Sequence, residues 1–397
     1  MINKRAEAGK QKAESGFTLI ELIITMVVFV LAIASASQIF TGLLTQFKQQ
    51  SRITETNIEG NVGLDILRQD LDHAGFGLPW NVTGIADSNG DGVINFSDNV
   101  PGYNEASAPT YNDAPNNPPR AFRSGDGAGP DVPGSDYLVI KSAAAAADDA
   151  AGKNTRLTSA APYVRTWALY TDDLSSTDRV IVISPGSTDA NSRSLVVTGG
   201  SFHTQYSAVS SYAPADNTDV RLVYGVSAAN AANTLRAPFN RSDYYISTNA
   251  ALPVPPRCVA GTGVLVKATL DHATGELTEL PVLDCVADMQ VIFLDNAAGP
   301  APHNDLSTFN DTDGNGTIDA DEIRDQLSEV RVYILAYEGQ RDPNYVFNNF
   351  TAGACATCVR VGMASALGRD YDLSAITDYL NYRWKVYTLA VTTDNLR

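Results

Sequence analysis

The sequence predicts an α+β protein in which a long N-terminal helix, membrane-spanning and then amphipathic, packs on a large antiparallel β-rich head. Three observations predict it. First, Phe17 to Phe47 is a run of 31 residues whose only charge is Glu21, and about 20 apolar residues span a bilayer as a helix. Second, Ile53, Ile58, Val62, Leu64, Leu67 and Leu71 recur mostly at three- and four-residue steps. They are interleaved with Arg52, Glu55, Glu59, Asp65, Arg68 and Asp72, which is the pattern of an amphipathic helix. Third, short runs rich in Val, Ile and Tyr follow beyond residue 80, separated by turn signals, as half-buried strands are. A helix followed by many strands points to α+β with antiparallel sheet.

In chain order, residues 1–16 form a polar lead segment, 17–47 the membrane-spanning half of the helix and 48–79 its amphipathic half and closing turn. Residues 80–397 form the head. One continuous helix is expected from Phe17 to His73. Gly42, Gly60 and Gly63 weaken it, each by about 1 kcal/mol relative to Ala. Gly75, Gly77 and Pro79 end it. Residues 80–135 are rich in Pro, Gly, Asn and Asp and read as loops. Strands are expected at Tyr137–Lys141, Tyr163–Tyr170, Arg179–Ile183, Leu195–Thr198, Val220–Val226, Val264–Leu270, Val286–Leu294, Val330–Tyr337 and Trp384–Thr392. The Ala run 143–147 with Asp148 and Asp149 reads as a solvated insertion or a short helix.

The net charge is −17; the segment before Phe17 carries +2 and the remainder −19. A basic lead, an apolar helix and an acidic body place the body on the exported side of a membrane. The acidity argues against nucleic-acid binding, since phosphates would be repelled. It is compatible with cation binding. A lone carboxylate in hydrocarbon costs at least a few kcal/mol, so Glu21 requires a partner charge. A free amino terminus on Phe17 of a neighbouring subunit would supply one. The polar lead ends before the apolar run, whereas an ordinary secretory signal is cut after it. Ala34-Ser35-Ala36-Ser37 imitates such a site, but the apolar stretch resumes at Ile39 and Phe40.

Gly16-Phe17-Thr18-Leu19-Ile20-Glu21 resembles the processing site of type IV prepilins and type II secretion pseudopilins. The resemblance implies leader removal after Gly16, N-methylation of Phe17, and an assembly contact of Glu21 with a neighbouring amino terminus. Arg68 to Gly77, with its Ala74-Gly75-Phe76-Gly77 close, resembles the helix end of PilW-like minor pilins. Val282 to Val291, and Trp384 to Val391 with the Asn395-Leu396-Arg397 ending, resemble later strands of the same proteins. The resemblance is weak over residues 80–260.

Asp311-Thr312-Asp313-Gly314-Asn315-Gly316-Thr317-Ile318-Asp319-Ala320-Asp321-Glu322 fits the twelve-residue calcium-loop pattern in full. Ca²⁺ takes six to eight oxygens. Asp311, Asp313 and Asn315 would give side-chain oxygens, Thr317 its carbonyl, Asp319 a direct or water-mediated oxygen and Glu322 a bidentate carboxylate. Ile318 would anchor the loop, and residues 321–328 would form an exiting helix without an entering one. Asp87 to Asp98 repeats the spacing, with Asp87, Asn89, Asp91, Val93 and Asn95 as ligands, but Asp98 replaces the final Glu and would close less well. This second loop resembles those of dockerin-like modules. Cys258, Cys285, Cys355 and Cys358 are an even number in an exported body, which suggests disulfides. Of three pairings, Cys258–Cys285 between neighbouring strands with Cys355–Cys358 in a turn is favoured. A redox-active Cys-x-x-Cys is the alternative for the latter, without the βαβ context such a site uses.

Enzyme motifs are not found. His73, His203, His272 and His303 are scattered, and no nucleophile elbow or phosphate loop is present. The resemblance implies the function of a minor type IV pilin, an inner-membrane, single-pass protein before assembly and part of a pilus afterwards. By resemblance its partners are prepilin peptidase, an inner-membrane assembly platform and other minor and major pilins, with a tip adhesin as a further partner. The rivals are a type II secretion minor pseudopilin and a tip-displayed adhesive module whose recognition surface lies in residues 80–260.

Overall fold

The computed structural model describes residues 16–83, 118–146, 148–167, 169–186, 193–230, 234–249, 252–351, 355–363 and 367–396. The chain divides into two compact units, Met1–Thr54 and Glu55–Arg397. Helix α1 covers Leu19–Asp72, within two residues of the sequence expectation at each end. In the first unit its apolar side chains are exposed from Phe17 to Phe47, and the helix is long and apolar enough to cross a membrane.

The second unit carries the sheets. In chain order the strands are β1 (Asn81–Thr83), β2 (Phe122–Gly125), β3 (Tyr137–Ser142), β4 (Asn154–Leu157), β5 (Arg179–Ser184), β6 (Ser194–Val196), β7 (His203–Gln205) and β8 (Arg221–Ser227). There follow β9 (Asn240–Ser247), β10 (Gly263–Leu270), β11 (Leu277–Asp295) and β12 (Pro302–His303), then helix α2 (Ala320–Gln326). The last are β13 (Leu327–Glu338), β14 (Cys358–Gly362), β15 (Gly368–Asp372) and β16 (Arg383–Thr392). Among the described residues, the larger sheet has the order β16-β13-β11-β10-β9-β3-β2, with β12 beside β11. A smaller sheet runs β1-β6-β5-β8-β4, with β7 beside β5, and β14 and β15 form a ribbon. Pairing is antiparallel except between β1 and β6, which run parallel.

The larger sheet is covered on both faces. On one face Leu64, Leu67 and Leu71 of α1 pack with Leu138, Ile140, Leu265, Val291 and Ile334. Burying each such leucine contributes roughly 1.5–3 kcal/mol. On the other face Ala287, Ile292 and Leu335 pack with Val359, Tyr371 and Trp384. The α1 stripe differs from the expected one, because Ile58 and Val62 are exposed. Gly60 and Gly63 face β11 instead, and a Cβ on Gly63 would lie 1.9 Å from the Val282 carbonyl oxygen. The glycines set how closely helix and sheet approach.

The end of α1 is buried and pinned. Gly75 and Gly77 adopt left-handed φ values of 78° and 65°, which glycine tolerates and which terminate helices. The Gly75 N–H donates to the Lys141 carbonyl at 3.0 Å, and the Ala143 N–H donates to the Phe76 carbonyl at 2.7 Å. The Ala run is therefore not a solvated insertion or helix: Ala143 and Ala145 are fully buried. Asn240 and Ser242 on β9 donate to their carbonyls at 2.7 and 2.8 Å.

Nine strand expectations met eight strands. Tyr163–Tyr170 is not a strand; Val164 makes one isolated bridge to Leu157, and Tyr163, Trp167 and Leu169 are exposed. With no buried face, its β-prone residues have nothing to pack on.

Candidate functional site

At the N-terminal motif, Gly16 and Phe17 precede the first turn of α1. The Thr18 N–H and hydroxyl both donate to Glu21 Oε2, at 3.0 and 2.9 Å, while the Glu21 N–H donates to Thr18 Oγ1 at 3.3 Å. This is a capping box, in which two otherwise orphaned N–H groups at a helix start are satisfied reciprocally. The Thr-x-x-Glu spacing signalled it in the sequence, where Glu21 was read only as a charge awaiting a partner. The cap gives Glu21 hydrogen bonds but no countercharge.

The 311–322 loop is described throughout. Gly314 and Gly316 take left-handed φ values of 77° and 85°. Asp311 accepts from the Gly314 and Gly316 N–H groups at 2.6 and 2.8 Å, and Asp313 from the Asn315 N–H at 2.9 Å. Asn315 accepts from the Thr317 N–H at 2.8 Å. These bonds fold Asp311, Asp313 and Asn315 inward around one centre. Carboxylate oxygens of Asp311, Asp313 and Glu322 lie within 4.8 Å of one another. Glu322 is buried and closes the loop by accepting from Thr312 Oγ1 at 2.8 Å and the Asp319 N–H at 3.0 Å. Burial pushes the Glu322 pKa up, but hydrogen bonds from Thr312 and Asp319 outweigh it and hold the group below its ordinary value. Burial raises the Asp319 pKa, with help from the charges of Asp321, Asp313 and Glu322 and against a hydrogen bond from Asn315. The loop thus gathers negative charge that a hard cation would neutralise.

The loop is moored at both ends. Ile318 and Ile323 are in the main core with Leu306 and Phe309. Asn310 and Gln326 exchange two hydrogen bonds, of 2.9 and 2.7 Å. The exiting helix is α2, while the entering side has only a single turn at Leu306–Thr308. The second loop, with Asp87, Asn89, Asp91, Val93, Asn95 and Asp98, lies outside the described residues.

Disulfides join Cys258 to Cys285 and Cys355 to Cys358. Cys285 is on β11, but Cys258 lies in the turn before β10 and not in a strand. The first bridge therefore ties a loop to the sheet. The Tyr337 hydroxyl reinforces it, donating to the Arg257 carbonyl at 2.9 Å and accepting from the Val259 N–H at 2.7 Å. Cys355 and Cys358 lie near Asp372, and their bond leaves no thiol there to ligate a metal.

One buried charge cluster was not legible. Asp70 of α1 meets Lys267 of β10 at 2.6 Å and accepts from the Tyr244 hydroxyl at 2.6 Å. All three side chains are buried. Removing either charge would strand the other in a low dielectric.

Comparison with known proteins bears on the N-terminal segment. The prokaryotic N-terminal methylation motif matches residues 11–37, which include Gly16, Phe17 and Glu21. The chain carries a prokaryotic N-terminal methylation motif. No curated protein matches the chain. Among solved structures, a type IV-like pilin from Thermus thermophilus is similar at 14% identity over 40% of this chain and 68% of its own, with a TM-score of 0.19.

Proposed function

We propose that this chain is a minor type IV pilin, made as a prepilin, cut after Gly16, methylated on Phe17, and used in priming and assembly of a pilus. The observation that carries this reading is the methylation motif on residues 11–37 at the start of a helix whose apolar half contains one carboxylate, Glu21. Such a helix serves two solvents, the bilayer before assembly and packed neighbouring helices afterwards. A second unit that alone spans Glu55–Arg397 is bulky for a repeating shaft and favours a place at or near the tip. The partners on this reading are prepilin peptidase, the inner-membrane platform and other pilins. The same features fit a type II secretion minor pseudopilin, and the gene neighbourhood separates the two. Ca²⁺ is assigned to Asp311, Asp313, Asn315, Thr317, Asp319 and Glu322 as a stabiliser of the exported head.

Glu21→Ala tests the assembly role. Membrane insertion should persist, because the substitution removes a charge from hydrocarbon. Recovery in sheared filaments should fall. Undiminished recovery would refute pairing of Glu21 with a neighbouring amino terminus.

A further inference from the structure

Trp80 stands between the 311–322 loop and the end of α1. Arg324, two residues beyond Glu322 on α2, places its guanidinium 4.1 Å from the centroid of the Trp80 ring. Arg193 places its own 5.0 Å from the same ring. Cations over an indole are attracted by its π-face. Arg193 also holds the helix end. Its Nη2 donates to the Gly75 carbonyl at 3.0 Å and its Nη1 to the Asn395 carbonyl at 3.3 Å. The Trp80 N–H donates to the Arg193 carbonyl at 3.0 Å. Asn395 in turn donates to the carbonyl of Asp72, the last residue of α1. Arg193 has a φ of 46°, a left-handed conformation that a non-glycine residue keeps only when its surroundings hold it there.

We propose that cation binding at 311–322 is transmitted to the last turn of α1 through the stack Arg324–Trp80–Arg193. This rests on the calcium reading of the loop and assigns it a regulatory output. The loop carries five carboxylates, on Asp311, Asp313, Asp319, Asp321 and Glu322, which repel one another when no cation is bound. Glu322 is both the closing ligand and part of the capping box that starts α2. Ligation at Glu322 therefore fixes the start of the helix that carries Arg324. A fixed Arg324 holds Trp80, Trp80 and Arg193 hold each other, and Arg193 holds the carbonyls of Gly75 and Asn395. Calcium thereby stiffens the last turn of α1 and the turn that follows it.

The test is hydrogen exchange on the detergent-solubilised full chain, with calcium binding followed by titration calorimetry. Calcium should slow exchange within 311–322 and slow residues 72–80 by about fivefold. Trp80→Leu and Arg324→Gln should bind calcium and protect the loop as the unsubstituted chain does, yet lose the slowing at 72–80. If Trp80→Leu unfolds the head, Arg324→Gln alone carries the comparison. Protection confined to 311–322 in the unsubstituted chain overturns the relay and leaves the calcium reading standing. No binding heat and no protection at 311–322 overturns both.

Discussion

Gly63→Ala separates helix preference from packing. On an exposed helix this change stabilises by about 1 kcal/mol. Here the added Cβ would sit 1.9 Å from the Val282 carbonyl oxygen, 2.8 Å from its carbon and 3.0 Å from Val282 Cγ1. The obstacle is backbone of β11, held on either side of Val282 by the pairing of Pro281 and Leu283 with β10, so it cannot swing away as a side-chain tip would. Relief requires lifting α1 from the sheet, which loosens Leu64 and Leu67 and stretches the Asp70–Lys267 pair. Overpacking of this kind costs roughly 1–3 kcal/mol and more where backbone is struck. We expect a net loss of about 2 kcal/mol, measured by urea unfolding of the full chain in detergent and read from near-ultraviolet dichroism. Gly60→Ala meets only Leu283 Cδ1 at 3.2 Å and Tyr387 beyond it, and should fall within about 1 kcal/mol of the unsubstituted chain. Gly42→Ala meets nothing within 4 Å. A Gly63→Ala chain as stable as the original would refute close approach of helix and sheet at this point.

Two further outcomes follow from the titrating groups and the loop. Burial raises the pKa values of Asp136 and Asp288 from 3.8 to about 7; hydrogen bonds to Gly127 and Val291 oppose the shift at Asp136, and the charge of Arg369 opposes it at Asp288. Between those values the folded state holds more protons than the unfolded one, so this contribution to stability is present near pH 4 and is lost as pH rises through 7. Asp288→Asn should therefore gain less stability than the unsubstituted chain on going from pH 8 to pH 5, and equal gains would contradict the assignment. Asp311→Ala combined with Glu322→Ala should abolish the rise in melting temperature with calcium; an undiminished rise would place the cation elsewhere.

Much of this architecture can be read from residue pattern, and the failures share a cause. The α1 boundaries follow from an unbroken apolar run and two glycines with positive φ. The geometry of the 311–322 loop follows from twelve contiguous residues, since the hydrogen bonds that shape it run within the loop. By contrast β9, Asn-Arg-Ser-Asp-Tyr-Tyr-Ile-Ser, looks polar but is almost wholly buried. Arg241 and Asp243 pair within it at 2.7 Å, and Asn240 and Ser242 serve distant carbonyls. The Ala143–Ala145 turn was misread for the complementary reason, because those partners come from 97 residues away. The buried stripe of α1 was displaced because hydrophobicity ranks Ile58 and Val62 above Gly60 and Gly63, whereas contact at a flat sheet rewards the absence of a side chain. Asp70 likewise gives no sign in the sequence that Lys267 and Tyr244 await it.

Processing of the N-terminus is measured most directly by mass spectrometry of the N-terminal peptide from sheared filaments. Cleavage after Gly16 gives a peptide that begins at N-methylated Phe17, recovered with the filaments at a small fraction of the shaft subunit. A chain that still begins at Met1, or one cut after Ala36 and absent from the filament fraction, would contradict it.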